Sequence, residues 1–151
     1  MTEINHIIQT RKNFISLINN LNEGELNCIP KGFKNNISWN FGHIVVAQQI
    51  LCYKNSGLKM YVSEELIQKY KKGSFPNENI SKNGIENLIK ISDKNMELFE
   101  QDFQKGLFKN YTEYTTSYNI TLSSIEDAMK FNSLHESLHF GYAMALQKLV
   151  K

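Results

Sequence analysis

Apolar residues recur every three or four positions in four long stretches of this chain, a spacing typical of one buried helical face. These stretches are residues 3–21, 38–53, 84–105 and 123–151. In the first of them, the face predicted to be buried carries Ile4, Ile7, Arg11, Phe14, Ile18 and Leu21. Four amphipathic helices with few strand signals between them predict an all-α fold, a four-helix bundle with one long crossover connection.

The segments between the predicted helices differ in character. Residues 22–37 contain glycines and a proline and are predicted to be a connection. Residues 54–82 form the long crossover, in which only residues 63–72 show the cap and spacing of one or two helical turns. Residues 107–122 are rich in threonine and tyrosine, which favours an extended connector or a short ribbon.

Size, charge and cysteine usage narrow the class of protein. A chain of 151 residues is predicted to form one domain, residues 1–151, with a substantial core. The net charge is +2 and the basic residues are dispersed, which argues against a nucleic acid partner. The longest apolar run, residues 44–47, is too short to span a membrane. Since the N-terminus shows no signal-peptide pattern, we expect a cytoplasmic protein in which Cys28 and Cys52 are reduced thiols.

Three of the four histidines fall on predicted buried faces. His135 and His139 lie four residues apart on the fourth helix, so their side chains share one face. His43 lies in the buried seam of the second helix, one turn after Trp39 and next to Gly42, which would admit a close neighbour. A buried imidazole without partners costs about 1–3 kcal/mol, and one divalent ion would satisfy all three rings. We therefore predict a metal site; the alternative is three core histidines satisfied by protein groups.

The segment from His135 to His139 also matches HExxH, in which two histidines bind zinc and the glutamate is a general base. A zinc protease of that kind takes its third ligand downstream, and the twelve residues after His139 contain no His, Asp, Glu or Cys. The third ligand must then come from upstream, where His43 is the candidate. Glu136 would point about 100° away from the ligands. It is predicted to pair with a basic side chain, to hydrogen-bond to a ligand across the bundle, or to act as a catalytic general base.

Two segments carry a family resemblance: NISWNFGHIVVAQQ around His43, and LHESLHFGYAMALQ around His135 and His139. With KYKKGSFP in the crossover, they resemble the DinB/YfiT-like superfamily of metalloenzymes in the order and spacing of elements over nearly the whole chain. The resemblance implies a four-helix bundle whose metal is held by one histidine of the second helix and two of the last. It also implies dimerisation through helices. Members with an assigned activity are thiol-dependent transferases or isomerases, which use a low-molecular-weight thiol such as bacillithiol or mycothiol.

The functional hypothesis is a metal-dependent transferase that joins such a thiol to small electrophilic molecules. Three histidine ligands leave a coordination position open for a thiol or water, and imidazole ligands suit zinc or nickel. The candidate pocket residues lie one turn from a predicted ligand and are Trp39, Asn132 and Tyr142. The candidate catalytic residue is Glu136. Two further classes are consistent with these residues: a non-enzymatic metal-stabilised bundle that binds a small molecule, and a metal-dependent hydrolase.

Overall fold

A computed structural model describes residues 2–151 of the chain. The described residues form six α-helices and one two-stranded ribbon, so the predicted all-α fold is confirmed. The helices are α1 (Thr2–Asn19), α2 (Glu23–Asn27), α3 (Ile37–Gln48), α4 (Glu64–Tyr70), α5 (Lys82–Gln104) and α6 (Ile125–Val150). The ribbon pairs β1 (Tyr114–Thr115) with β2 (Thr121–Leu122) in antiparallel register. Helices α1, α3, α5 and α6 correspond to the four predicted helices.

The bundle core lies between these four long helices in two apolar clusters. The larger cluster joins α1, α3 and α6 through fully buried side chains such as Phe14, Phe41 and Leu146. The smaller joins α1, α5 and the start of α6 through Ile7 and Phe99, among others. The predicted apolar faces are therefore the packed faces of the helices, except that Tyr142 and Leu149, both predicted on the buried face of the fourth helix, are 38% and 58% exposed.

Two details differ from the predicted elements. The connection over residues 22–37 contains the short helix α2, which is too short to show a periodic pattern. A capping box starts this helix, because Asn22 accepts from the Glu25 backbone and Glu25 accepts from the Asn22 backbone, each at 2.9 Å. The second predicted helix leaves regular α geometry after Gln48 and continues through a π-turn (Gln49–Tyr53) and a 3-10 turn (Lys54–Ser56).

A buried ion pair joins the helices at the centre of the bundle. The Nε and Nη2 atoms of Arg11 on α1 each donate to Glu136 on α6 at 2.7 Å. Nη1 donates to Ser92 of α5 at 2.9 Å, and Nη2 also donates to the Ile44 carbonyl of α3 at 3.0 Å. Asn132 adds a hydrogen bond to Glu136 at 2.9 Å. The guanidinium of this α1 residue thus hydrogen-bonds to all three of the other long helices.

The pair is deeply buried, since the side chains of Arg11 and Glu136 are 2% and 0% exposed. Burial raises the pKa of the Glu136 carboxyl, while the charge and hydrogen bonds of Arg11 act in the opposite direction. Each charge therefore depends on the other for its stability in the bundle interior.

We expect replacement of either partner to destabilise the fold by about 3–5 kcal/mol, because the remaining charge stays buried without its counter-charge. Urea unfolding of Arg11→Met and Glu136→Gln measures this loss. The double variant Arg11→Met/Glu136→Leu removes both charges and should recover most of it.

Glu97→Gln is the control, because it breaks the exposed pair between Lys94 and Glu97. It should change the free energy of unfolding by less than about 1 kcal/mol. Single variants of the buried pair as stable as this control would contradict the role assigned to Arg11 and Glu136.

Candidate metal centre

His43 of α3 and His135 and His139 of α6 come together at one site in the bundle. Their candidate ligand nitrogens, one from each ring, all lie within 4.8 Å of one another. The ring centroids are 4.6 Å apart for His135 and His139, and 4.7 Å apart for His43 and His139. The predicted clustering of three histidines from two helices is therefore present in the structure.

The ring of His43 is held in place by two neighbours, Tyr70 and Trp39. Its Nδ1 lies 2.8 Å from the carbonyl oxygen of Tyr70. Because a carbonyl can only accept, Nδ1 carries the proton and Nε2 keeps its lone pair. The indole of Trp39 stacks on the ring at a centroid distance of 4.8 Å and an angle of 9°. Tyr70 of α4 fits here because Gly42 has no side chain: a Cβ at Gly42 would lie 2.4 Å from the Tyr70 ring.

His139 is oriented in the same way by Asn40. Its Nδ1 lies 2.8 Å from Oδ1 of Asn40. The Asn40 amide cannot be reversed, because its nitrogen donates to the Asn36 carbonyl at 2.7 Å and to Asn35 Oδ1 at 3.0 Å. His139 therefore donates through Nδ1 and keeps the Nε2 lone pair free, the usual arrangement of a metal-binding histidine. Sequence reasoning missed Asn40, although it lies one turn before His43 on the same helix.

His135 completes the cluster and leaves one polar atom unsatisfied. Its Nδ1 is buried and has no hydrogen-bond partner among the described residues. Groups of this kind are costly to bury unless a further ligand satisfies them.

The protonation state of the cluster suits a cation. Burial lowers the pKa of all three rings, and the neighbouring imidazoles lower it further for His135, to about 4, and for His139, to about 3. The rings are therefore neutral at pH 7 and present lone pairs. Zinc–nitrogen bonds of 2.0–2.1 Å place tetrahedral ligand nitrogens about 3.3 Å apart. Small side-chain shifts would bring the three nitrogens to that spacing, so the residues fit a divalent ion.

The cluster opens onto a cavity of about 490 Å³, within the range of small-molecule sites. All three histidines line it. Its apolar and aromatic wall is formed by Trp39, Ile50, Leu51, Tyr114, Tyr118 and Phe131. The ribbon tyrosines were not predicted to belong to the site, because no sequence spacing connects them to the histidines.

Of the three predicted pocket residues, the structure places one on the cavity wall and two elsewhere. Trp39 lines the cavity, whereas Asn132 and Tyr142 are not among its lining residues. Asn132 is fully buried and points to Glu136. Tyr142 is 38% exposed and packs on Phe33 at a centroid distance of 5.8 Å. Lying one turn from a ligand is not sufficient, because each helical step also rotates the side chain by about 100°.

Glu136 is likewise outside the cavity lining. Of the three roles predicted for it, the structure shows the pairing with a basic side chain, that of Arg11. Its two carboxylate oxygens accept from Arg11 and Asn132 in the bundle interior. A catalytic role for Glu136 stays a prediction, and this geometry gives it no contact with the cavity.

A comparison with sequence families identifies the family of this chain. The sequence model of the DinB superfamily matches residues 6–143, a span that includes all three histidines. The chain belongs to the DinB superfamily. Curated protein sequences gave no significant match. Among residues 2–151, no helix is both long and apolar enough to cross a membrane. Membership of the DinB superfamily and the three-histidine cluster together fit a metal-dependent enzyme.

We expect this DinB-superfamily protein to bind about one equivalent of divalent metal. His43→Ala and His139→Ala should each lower the occupancy sharply, because the two remaining imidazoles hold an ion more weakly. Metal analysis of the dialysed, tag-free protein measures the occupancy. His6→Ala is the matched control, since His6 is exposed on α1 and outside the cluster. Full occupancy in either cluster variant would rule out the proposed ligand set.

Proposed function

We propose that this protein is a metal-dependent transferase that joins a low-molecular-weight thiol to a small electrophilic molecule. His43, His135 and His139 would hold a divalent ion, with zinc or nickel favoured by imidazole ligands. The observation that carries the proposal is three neutral imidazoles, with ring nitrogens within 4.8 Å of one another, on the wall of a small-molecule cavity.

Three protein ligands are the pattern of a catalytic metal site, because at least one coordination position stays open to the cavity. An ion held there would lower the pKa of a bound thiol or water and supply a nucleophile at neutral pH. Hydrogen bonds within the chain orient two of the imidazoles for metal binding. Tyr70 and Asn40 hold the Nδ1 protons of His43 and His139, so that each Nε2 lone pair is free.

The cysteine positions favour a thiol that comes from a cosubstrate. Cys28 is exposed, Cys52 is buried, and neither lines the cavity. Burial also raises the pKa of the Cys52 thiol far above its usual range, which leaves it unreactive. In the transfer itself, the thiol would lose its proton to water, its sulfur would form a bond to the electrophilic carbon, and the leaving group would depart with the electron pair.

The cavity lining favours a transferase over a hydrolase of the HExxH kind. No Asp or Glu lines the cavity in the part of the chain that the structure describes. Glu136, the residue in the general-base position of that motif, is paired with Arg11 instead. A hydrolase would need a general base close to its attacking water.

We expect the metal-loaded protein to accelerate conjugation of monochlorobimane with at least one member of a panel of low-molecular-weight thiols. The rise in bimane fluorescence measures the rate. His139→Ala and metal-free protein should return it to the uncatalysed rate, while His6→Ala should leave it unchanged. Absence of acceleration with every thiol would refute the transferase.

A non-enzymatic metal-stabilised bundle is distinguished by a second measurement. If a thiol alters the visible spectrum of cobalt-loaded protein, the coordination position is open. An unchanged spectrum with all thiols indicates a closed site and supports the binding bundle.

We also propose that the protein is a homodimer that pairs through α6. Its outer face exposes large apolar side chains, of which Leu134, Leu138 and Leu149 are 61%, 55% and 58% exposed. Together with Tyr142, they fall along one side of the helix, because steps of four and seven residues return to nearly the same direction. Large apolar side chains exposed along one side of a helix are typical of a protein–protein contact. A two-fold axis would pair this face with its own copy.

Light scattering on the purified protein should give twice the chain mass of 17.5 kDa. Leu134→Glu/Leu138→Glu should give a monomer, because facing copies would bring like charges together. Met144→Glu is the control, since Met144 is 44% exposed but projects from a different side of α6. A native monomer, or a double variant that stays dimeric, would contradict this interface.

A further inference from the structure

Three lysines line the same cavity as the three histidines: Lys54, Lys71 and Lys72. No carboxylate of the described residues lines the cavity beside them. We infer that the cavity binds a small organic anion, with an acidic head group near these lysines and an apolar or aromatic body. This deepens the proposed function, on which it rests, by naming the charge class of the ligand in that cavity.

The three lysines carry uncompensated charge. None forms an ion pair with another described residue, whereas nearby Lys69 pairs with Glu78 at 2.9 Å. The whole chain has a net charge of only +2, so three unpaired cations around one cavity are a local concentration. Positive charge over a partly enclosed, low-dielectric wall attracts anions more strongly than the same charge on an open surface.

Two of these lysines project from a turn anchored to the metal centre. Lys71 and Lys72 lie in the turn after α4, which Gly73 allows by adopting a left-handed φ of 86°. The Ser74 hydroxyl lies 2.7 Å from the Lys71 carbonyl, which closes the turn. The same Ser74 oxygen accepts from the indole nitrogen of Trp39 at 3.1 Å. Because Trp39 stacks on His43, the turn that carries Lys71 and Lys72 is connected to the candidate metal ligand.

Lys54 approaches the cavity from a separate segment, the 3-10 turn after α3. This segment is anchored to the connection that precedes the ribbon. The Asn55 carbonyl accepts from the Thr112 backbone at 2.6 Å, and the Asn55 amide donates to the Tyr111 hydroxyl at 3.3 Å. The positive charges therefore come from two independently anchored segments.

The rest of the lining suits an apolar body. Trp39, Leu51 and Phe131 are each 7% exposed and form a buried apolar wall of the cavity. Tyr114 and Tyr118 of the ribbon region are 38% and 52% exposed, so each presents an aromatic surface that a ligand would cover. A charged head with a flat apolar body matches both parts of the cavity.

Two fluorescent probes of similar shape test the inference in metal-free protein, where no bound cation adds to the attraction. The anionic probe is 8-anilinonaphthalene-1-sulfonate and the neutral one is N-phenyl-1-naphthylamine. Energy transfer from Trp39, the chain's single tryptophan, reports binding in this cavity. The native protein should bind the anionic probe at least about tenfold more tightly, and this preference should shrink as salt is added.

The variant Lys54→Gln/Lys71→Gln/Lys72→Gln should lose about tenfold in affinity for the anionic probe and keep its affinity for the neutral one. The control Lys12→Gln/Lys90→Gln/Lys105→Gln removes the same charge from exposed residues outside the cavity and should keep the preference. Equal affinity of the native protein for both probes would overturn the inference. So would equal losses in the two triple variants.

Competition identifies the head group. Displacement of the anionic probe by phenylacetate assigns a carboxylate, and displacement by phenyl phosphate assigns a phosphate. Equally effective displacement by the neutral benzyl alcohol would overturn the inference. The metal content of the same samples distinguishes failure of this inference from failure of the proposed function. A preference for the anionic probe in a protein that binds no metal would refute the proposed function only. Metal binding without a preference for the anionic probe would refute this inference only.

Discussion

The guanidinium of Arg11 lies where α1, α3, α5 and α6 meet, and the positions of the three histidines depend on it. Two of its acceptors adjoin the metal-ligand candidates in sequence. Glu136 follows His135 on α6, and Ile44 follows His43 on α3. A contact that holds Glu136 and Ile44 together also sets the relative rotation and height of the two helix turns that carry the imidazoles. Since an isolated charge is costly in this interior, we expect the pair to favour one register of the bundle.

The segment from His135 to His139 therefore makes different contacts on two sides of α6. The histidines face the cavity, where burial and mutual proximity keep them neutral. Glu136, one residue further and about 100° around the helix, faces the bundle centre and Arg11. In the sequence, this segment resembles a self-contained protease motif. In the structure, its histidines form one wall of the candidate metal centre, and its glutamate is one half of a structural ion pair.

The long crossover contributes directly to the site. Tyr70 packs against the bare backbone of Gly42 and presents its carbonyl oxygen to His43. The turn that follows is held by Ser74 to the Trp39 indole, so it closes one side of the cavity. The segment that looks least regular in sequence thus supplies a hydrogen-bond acceptor for a candidate ligand and two of the lysines that line the cavity.

The sequence by itself determined the four long helices and the three histidines that belong together. Helix periodicity is a local property, and it shows which side chains share the buried face of each helix. Only the tertiary structure decided which groups meet across those faces: Arg11 with Glu136, 125 residues apart, and Asn40 with His139, 99 residues apart. The lysines and ribbon tyrosines of the cavity follow no periodic pattern, so their convergence depends on how the connections pack. Periodicity gives the direction of a side chain from its own helix, whereas its partner is set by the packing of all the helices at once.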